Sequence, residues 1–254
     1  MKIARFTTGD DPRYGVLDGE DLVVLTGDPL YTTPTPTGAR VPLDDVRLLA
    51  PVIPRSKVVC VGRNYAEHAA ELGNDVPERP LLFIKPNTTV VGPDDPIVLP
   101  AWTNEVHHEA ELAVVISRIC KDIPAEQADR VILGYTAAND VTARDVQAED
   151  KTWTRGKMFD TSCPLGPFLV TGLDTSDLRV QARVDGETRQ DGSTAQMVRG
   201  IAELIAYASS IFTLLPGDVL LTGTPAGVGP IDVGQRVEVE IDGIGTLGNP
   251  VLRR

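Results

Sequence analysis

Apolar residues in this chain fall into short runs, many bounded by glycine, proline or acidic residues, more often than into long helical periods. The runs "KVVCVG", "PLLFIKP", "HEAELAVVI", "VILGYTAAND", "GPFLV", "VQARVDGE", "GDVLLTG" and "QRVEVEIDGIGTLGN" each have the length and β-branched content of a strand. Two segments break the pattern. "GIAELIAYASSIFTLL" carries apolar residues at helical spacing, and "RNYAEHAAELG" has the spacing and closing glycine of a short helix. Residues 1 to about 26 predict short strands joined by the turns "TGDDPRYG" and "DGED". "TGDPLYTTPTPTGARVP" has no hydrophobic period and predicts a linker or exposed excursion. The expected organisation is a small N-terminal β domain plus linker over 1–53 and a larger domain over 54–254, in an α+β, predominantly β, fold.

Composition narrows the function. With 254 residues the chain can bury one substantial core, and its 23 glycines and 20 prolines suit a turn-rich protein. A net charge of -12 argues against nucleic acid, whose phosphates demand a basic face. Cys60, Cys120 and Cys163 are widely spaced and odd in number, which predicts buried thiols in a reducing compartment, not a disulfide framework or a cysteine zinc site. No apolar stretch approaches a membrane span, and the N-terminus lacks a secretory pattern, so a cytoplasmic protein is expected. Gly243, Gly245 and Gly248 satisfy G-x-G-x-x-G, but Pro250 closes the string and no helix can follow to receive a pyrophosphate. They predict a β-turn.

The candidate chemistry starts at Glu109 and Glu111. On a strand these two carboxylates point to one face while Leu112 and Val114 point to the other. Asp140 ends a second apolar run abruptly. Three carboxylates with no nearby cysteine suit magnesium, manganese or calcium better than zinc. The competing expectation is that Glu109 and Glu111 are solvent-facing groups on a half-exposed strand, as charged residues usually are. His107 shares the parity of Glu109 and Glu111 but is expected to pack beside the site and not to ligate.

The segments "CVGRNYAEHAAELG", "EAELAVVI", "NDVTARDVQ", "WTRGKMFDTSCPLGP" and "LLPGDVLLTGTPAGVGP" occur in an order and spacing that closely resemble the fumarylacetoacetate hydrolase family from about residue 55 onward. The resemblance implies a β-roll catalytic domain, a bound Mg2+ or Mn2+, a homodimer or larger homo-oligomer, and cleavage or rearrangement of small 2-oxo acids. It places the metal ligands on Glu109, Glu111 and Asp140, the trio that spacing selects. It assigns substrate binding to Arg144 and Gln147, whose planar fork and neutral amide suit a carboxylate and an oxo group; a purely structural alternative pairs Arg144 with Asp145. Lys157 matches the family's active-site lysine, followed here by Met158 where relatives often carry a small hydroxyl residue. His68 and Glu71 are three apart on one helix face, the arrangement in which a carboxylate supports a general base. Thr222, Gly223 and Thr224 end an apolar strand where hydroxyl and N–H groups could grip a substrate carboxylate, and Thr224 is the position carried over.

The expected reaction is hydrolysis of a 2,4-diketo acid of the acylpyruvate type. His68 would activate water, and the cation and Lys157 would stabilise a pyruvate enolate. Oxaloacetate decarboxylation and isomerisation of 2-hydroxyhepta-2,4-diene-1,7-dioate in aromatic catabolism are the alternatives within the family. A non-catalytic metal-dependent binding protein is the alternative outside it.

Overall fold

The computed structural model describes residues 1–253. Its largest sheet has twelve strands. At the centre lies Ala110–Ile116, paired antiparallel with Ile132–Asn139 on one side and Val219–Leu221 on the other. Beyond them the sheet continues through Val58–Gly62 and Leu81–Lys85 in one direction, and through Cys163–Val170 in the other. A second, five-stranded sheet holds Glu187–Ser193, Arg179–Val184, Arg236–Ile241, Gly245–Arg253 and Ile97–Leu99. The G-x-G-x-x-G string falls in the hairpin between the Arg236 and Gly245 strands, where Gly243 has φ +75°.

The central strand is buried on both faces, which is why its run is apolar throughout apart from Glu111. Leu112, Val114 and Ile116 join a core with Val180, Val239 and Ile241 of the second sheet and with Leu204 and Ile205. Ala113 and Val115, of opposite parity, pack with Val58, Cys60, Phe83, Leu165 and Val219. Glu111 has the parity of Ala113, so it enters the protein through the second face.

The long helix is Ile201–Ile211, shorter than its apolar pattern. Leu214 instead exchanges backbone hydrogen bonds with Cys120 at 2.9 and 3.0 Å, a tertiary pairing that ends the helix. The expected linker also differs from the structure, because Pro36–Pro42 is a strand paired with Asp21–Leu25. It is almost wholly exposed, so backbone pairing at a sheet edge formed it without any hydrophobic period. The N-terminal strands extend the large sheet: Lys2 and Ile3 pair with Val170 and Leu169. Among the described residues no helix is long and apolar enough to cross a membrane.

Candidate metal and active site

Glu109 links the strands Val106–His108 and Ala110–Ile116, and Asp140 follows directly on Ile132–Asn139. The two strands pair through Ala110 and Asn139, and Asp140 N donates to Glu109 O at 2.9 Å, so the register brings the acids together. Ligand atoms of Glu109, Glu111 and Asp140 lie within 4.8 Å of one another. All three are buried, Glu109 at 4% and Glu111 at 2% exposure, which rejects the solvent-facing alternative.

Cations surround two of the three. Lys157 Nζ donates to Glu109 Oε2 and Asp140 Oδ2, each at 2.7 Å, and Arg144 pairs with the other oxygen of Glu109. Lys85, completely buried, reaches Asp140 Oδ1 at 2.7 Å and donates to the carbonyl of Ser162 at 2.7 Å. Burial opposes charge on Glu109, yet Lys157 and Arg144 outweigh it and hold this carboxyl well below the usual range. Burial likewise opposes charge on Lys157, and Asp140 and Glu109 override it to raise the ammonium's pKa. Glu111 is different. It accepts one backbone hydrogen bond from Gly223 N at 2.7 Å and has no cation in contact. Burial, with Asp140 and Glu109 adding repulsion, drives its carboxyl far above the ordinary value.

A buried carboxylate held only by an N–H, beside two others, suits a hard divalent cation. With all three acids ionised, as a bound cation would require, they would balance Lys85, Lys157 and Arg144, which touch Glu109 and Asp140. A divalent ion would then give this cluster an excess of two positive charges, while Arg63, Lys151, Glu149 and Asp150 line the rest of the cavity.

The cluster opens into a cavity of about 490 Å³ lined also by His68, Arg144, Gln147, Lys157 and Thr224. Glu71 stands behind His68, its Oε2 3.5 Å from Nδ1, and is itself held by Gly227 N at 3.1 Å. Burial pulls the His68 imidazole below its ordinary pKa, against the opposing pull of Glu109, and so favours the uncharged ring. Arg144 donates to Gln147 Oε1 at 2.9 Å and does not pair with Asp145, whose carboxylate instead takes the Thr103 hydroxyl and Asn104 N. The Thr224 hydroxyl donates to Ala110 O at 2.8 Å, the Thr222 hydroxyl to Leu112 O at 2.9 Å, and Gly223 N is committed to Glu111. Those three residues thus brace the carboxylate strand. His107 is half-buried against Glu105, and His108 is buried against Gln190, 3.1 Å in each case. Sequence reasoning missed Lys85 and Gln190. Lys85 left one signal, a lysine at the same parity as buried Phe83.

The family described as "Fumarylacetoacetate (FAA) hydrolase C-terminal" matches residues 57–252, and "Rv2993c-like, N-terminal" matches residues 1–51. Protein Rv2993c of Mycobacterium tuberculosis is 50% identical across 100% of this chain and 99% of its own length. Human mitochondrial oxaloacetate tautomerase FAHD2A is 46% identical over 83% of this chain and 71% of its own. Among solved structures, 5-carboxymethyl-2-hydroxymuconate delta-isomerase from Mycobacterium smegmatis superposes with TM-score 0.92 at 48% identity, covering 100% of both chains. Fumarylpyruvate hydrolase from Pseudomonas aeruginosa, solved with Mn2+ and pyruvate, gives TM-score 0.76 at 37% identity, covering 82% of this chain and 92% of that one. On its sequence, its fold and its buried acidic cluster, this chain belongs to the fumarylacetoacetate hydrolase family.

Proposed function

We propose that the protein is a Mg2+- or Mn2+-dependent enzyme that hydrolyses a carbon–carbon bond in a 2,4-diketo acid, an acylpyruvate hydrolase. One observation carries the reading: a buried imidazole, its Nδ1 3.5 Å from Glu71, lines the same cavity as the carboxylate cluster. A cation held by Glu109, Glu111 and Asp140 would supply Lewis acidity at the substrate's 2-oxo group. Arg144 and Gln147, coupled by their own hydrogen bond, present a guanidinium edge and an amide to the substrate's carboxylate and oxo oxygens. With Nδ1 turned to Glu71, His68 keeps Nε2 for the proton of a water that adds to the C4 carbonyl. The C3–C4 bond then breaks, its electron pair passing to C3 as pyruvate enolate while the acyl part leaves as a carboxylic acid. The proton taken by His68 returns to C3 and completes pyruvate. Lys157, charged and fixed between Glu109 and Asp140, favours the negative charge as it develops.

A second reading is proton relocation without bond cleavage, as in tautomerisation of oxaloacetate or isomerisation of a hydroxy-diene dioate. The human tautomerase and the M. smegmatis isomerase, at 46% and 48% identity, favour it. It uses His68 as proton carrier and needs no water.

The test is to strip the protein of cations, restore magnesium or manganese, and assay acetylpyruvate, fumarylpyruvate, oxaloacetate and the hydroxy-diene dioate. Restored cation should raise the melting temperature, because it binds the folded cluster alone. His68→Gln should cut acylpyruvate cleavage by on the order of a hundredfold. Keto–enol exchange of oxaloacetate or isomerisation of the diene dioate without cleavage of any acylpyruvate would replace hydrolysis with the second reading, release of carbon dioxide from oxaloacetate would overturn both, and a melting temperature indifferent to both cations would remove the metal site.

A further inference from the structure

Gln190 sits on Glu187–Ser193, in the five-stranded sheet, and is wholly buried although it lines no part of the cavity. Its amide uses its full bonding capacity on the residues behind the site. Oε1 accepts from Ala110 N at 2.9 Å and from His108 Nδ1 at 3.1 Å. Nε2 donates to the Thr224 hydroxyl and to Pro225 O, each at 2.7 Å. Ala110 lies between Glu109 and Glu111, so one half of the amide holds the carboxylate strand. The other half holds the 222–227 loop.

That loop reaches two parts of the site. At one end Gly223 N donates to Glu111; at the other Gly227 N donates to Glu71, the partner of His68. Close packing independently seats the Gln190 strand on the loop. A Cβ at Gly192 would stand 2.5 Å from Pro225 Cβ, and one at Gly227, whose φ is +96°, would stand 2.2 Å from Arg189 O. No other residue type fits either position without moving backbone or ring.

We propose that Gln190 is a positioning residue whose amide, added to the direct bonds of Thr222, Gly223 and Thr224 to the carboxylate strand, fixes how the 222–227 loop sits against that strand, and thereby tunes both cation affinity and the placement of His68. The inference rests on the reading that the acidic cluster binds a divalent cation.

Two substitutions separate its parts. Gln190→Glu keeps the acceptor towards Ala110 N and loses both donors into the loop; Gln190→Met keeps the length and loses all four hydrogen bonds. Magnesium and manganese are titrated calorimetrically into cation-free wild-type and variant protein, kcat and KM are measured on the substrate found above, and melting is followed by circular dichroism. Both variants should weaken cation binding by about 10–100-fold, the usual effect of losing a group that orients a ligand, and should lower kcat more than they raise KM. A folded variant with a lower melting temperature but wild-type cation affinity and kcat would make Gln190 a stability residue only and overturn the proposal. If Gln190→Met does not fold, Gln190→Glu decides alone. Wild-type protein that binds neither cation would overturn the cluster's assignment and this inference with it, whereas wild-type binding with unaltered variants overturns only the role of Gln190.

Discussion

Asp140 is gripped by two lysines, and the deeper one, Lys85, has no access to solvent. Taking an ammonium out of water costs several kcal/mol, offset here by Asp140, by the Ser162 carbonyl and hydroxyl, and by Val141 O. Lys85→Met would leave those acceptors unpaired beside a buried carboxylate. It should destabilise the protein by about 3–5 kcal/mol, read as a lower urea midpoint with unchanged slope. A loss below about 1 kcal/mol, within the range of surface ion pairs, would show that the network adds nothing to the fold. Glu109 and Glu111 were legible in the sequence because strand parity is a local property, and Asp140 because it ends an apolar run abruptly. Lys85 was nearly hidden, since a lysine at the end of a strand is ordinarily solvated. Gln190 was invisible: its partners Ala110 and Thr224 lie 80 and 34 residues away, and a lone glutamine on an exposed-looking strand carries no signal.

At the level of elements, the short apolar runs named in the sequence are strands in the structure, because period and length were set by the same burial that forms the sheet. Boundaries failed where tertiary pairing competed, as at Leu214 against Cys120 and at the exposed edge strand Pro36–Pro42. The helix Ile201–Ile211 packs through Leu204, Ile205 and Ala208 on the face of the central strand occupied by Leu112 and Val114. The carboxylates enter from the opposite face. Leu204→Ala should therefore cost about 2–5 kcal/mol in stability while kcat per folded molecule stays at the wild-type value. A denaturation curve and an active-site-normalised rate would check this, and an equal fall in kcat would mean that packing on that face sets the site geometry.

The molecule as a whole is held together by one sheet that passes from the N-terminal strands to the carboxylate strand. Met1 O receives Thr171 N, while Lys2 and Ile3 pair with Val170 and Leu169 at the end of Cys163–Val170. Phe6, Leu22 and Val24 join the same apolar cluster as Leu112 and Leu247. Deleting residues 1–51 would uncover the Leu169–Val170 end of Cys163–Val170 and the apolar side chains that pack with Phe6, Leu22 and Val24, while Cys163 and Pro164 stay paired with Val90–Val91. The truncated chain should associate through that edge and sediment as mixed aggregates; a monodisperse, active product would show that the N-terminal strands are dispensable to the large sheet.

That junction also bears on how such a pocket is inherited. The cavity residues sit on strands on the other side of Cys163–Val170 or in the loops and short helices between strands, with His68 in Ala66–Glu71, Arg144 and Gln147 in Arg144–Glu149 and Lys157 in Thr154–Lys157, so the sheet edge and the chemistry are separable targets of selection. A lineage without these N-terminal strands must shield the edge by another means, such as a helix, a borrowed segment or a second copy of itself. Architecture and assembly can then diverge at that border while the acids, lysines and imidazole stay where they are.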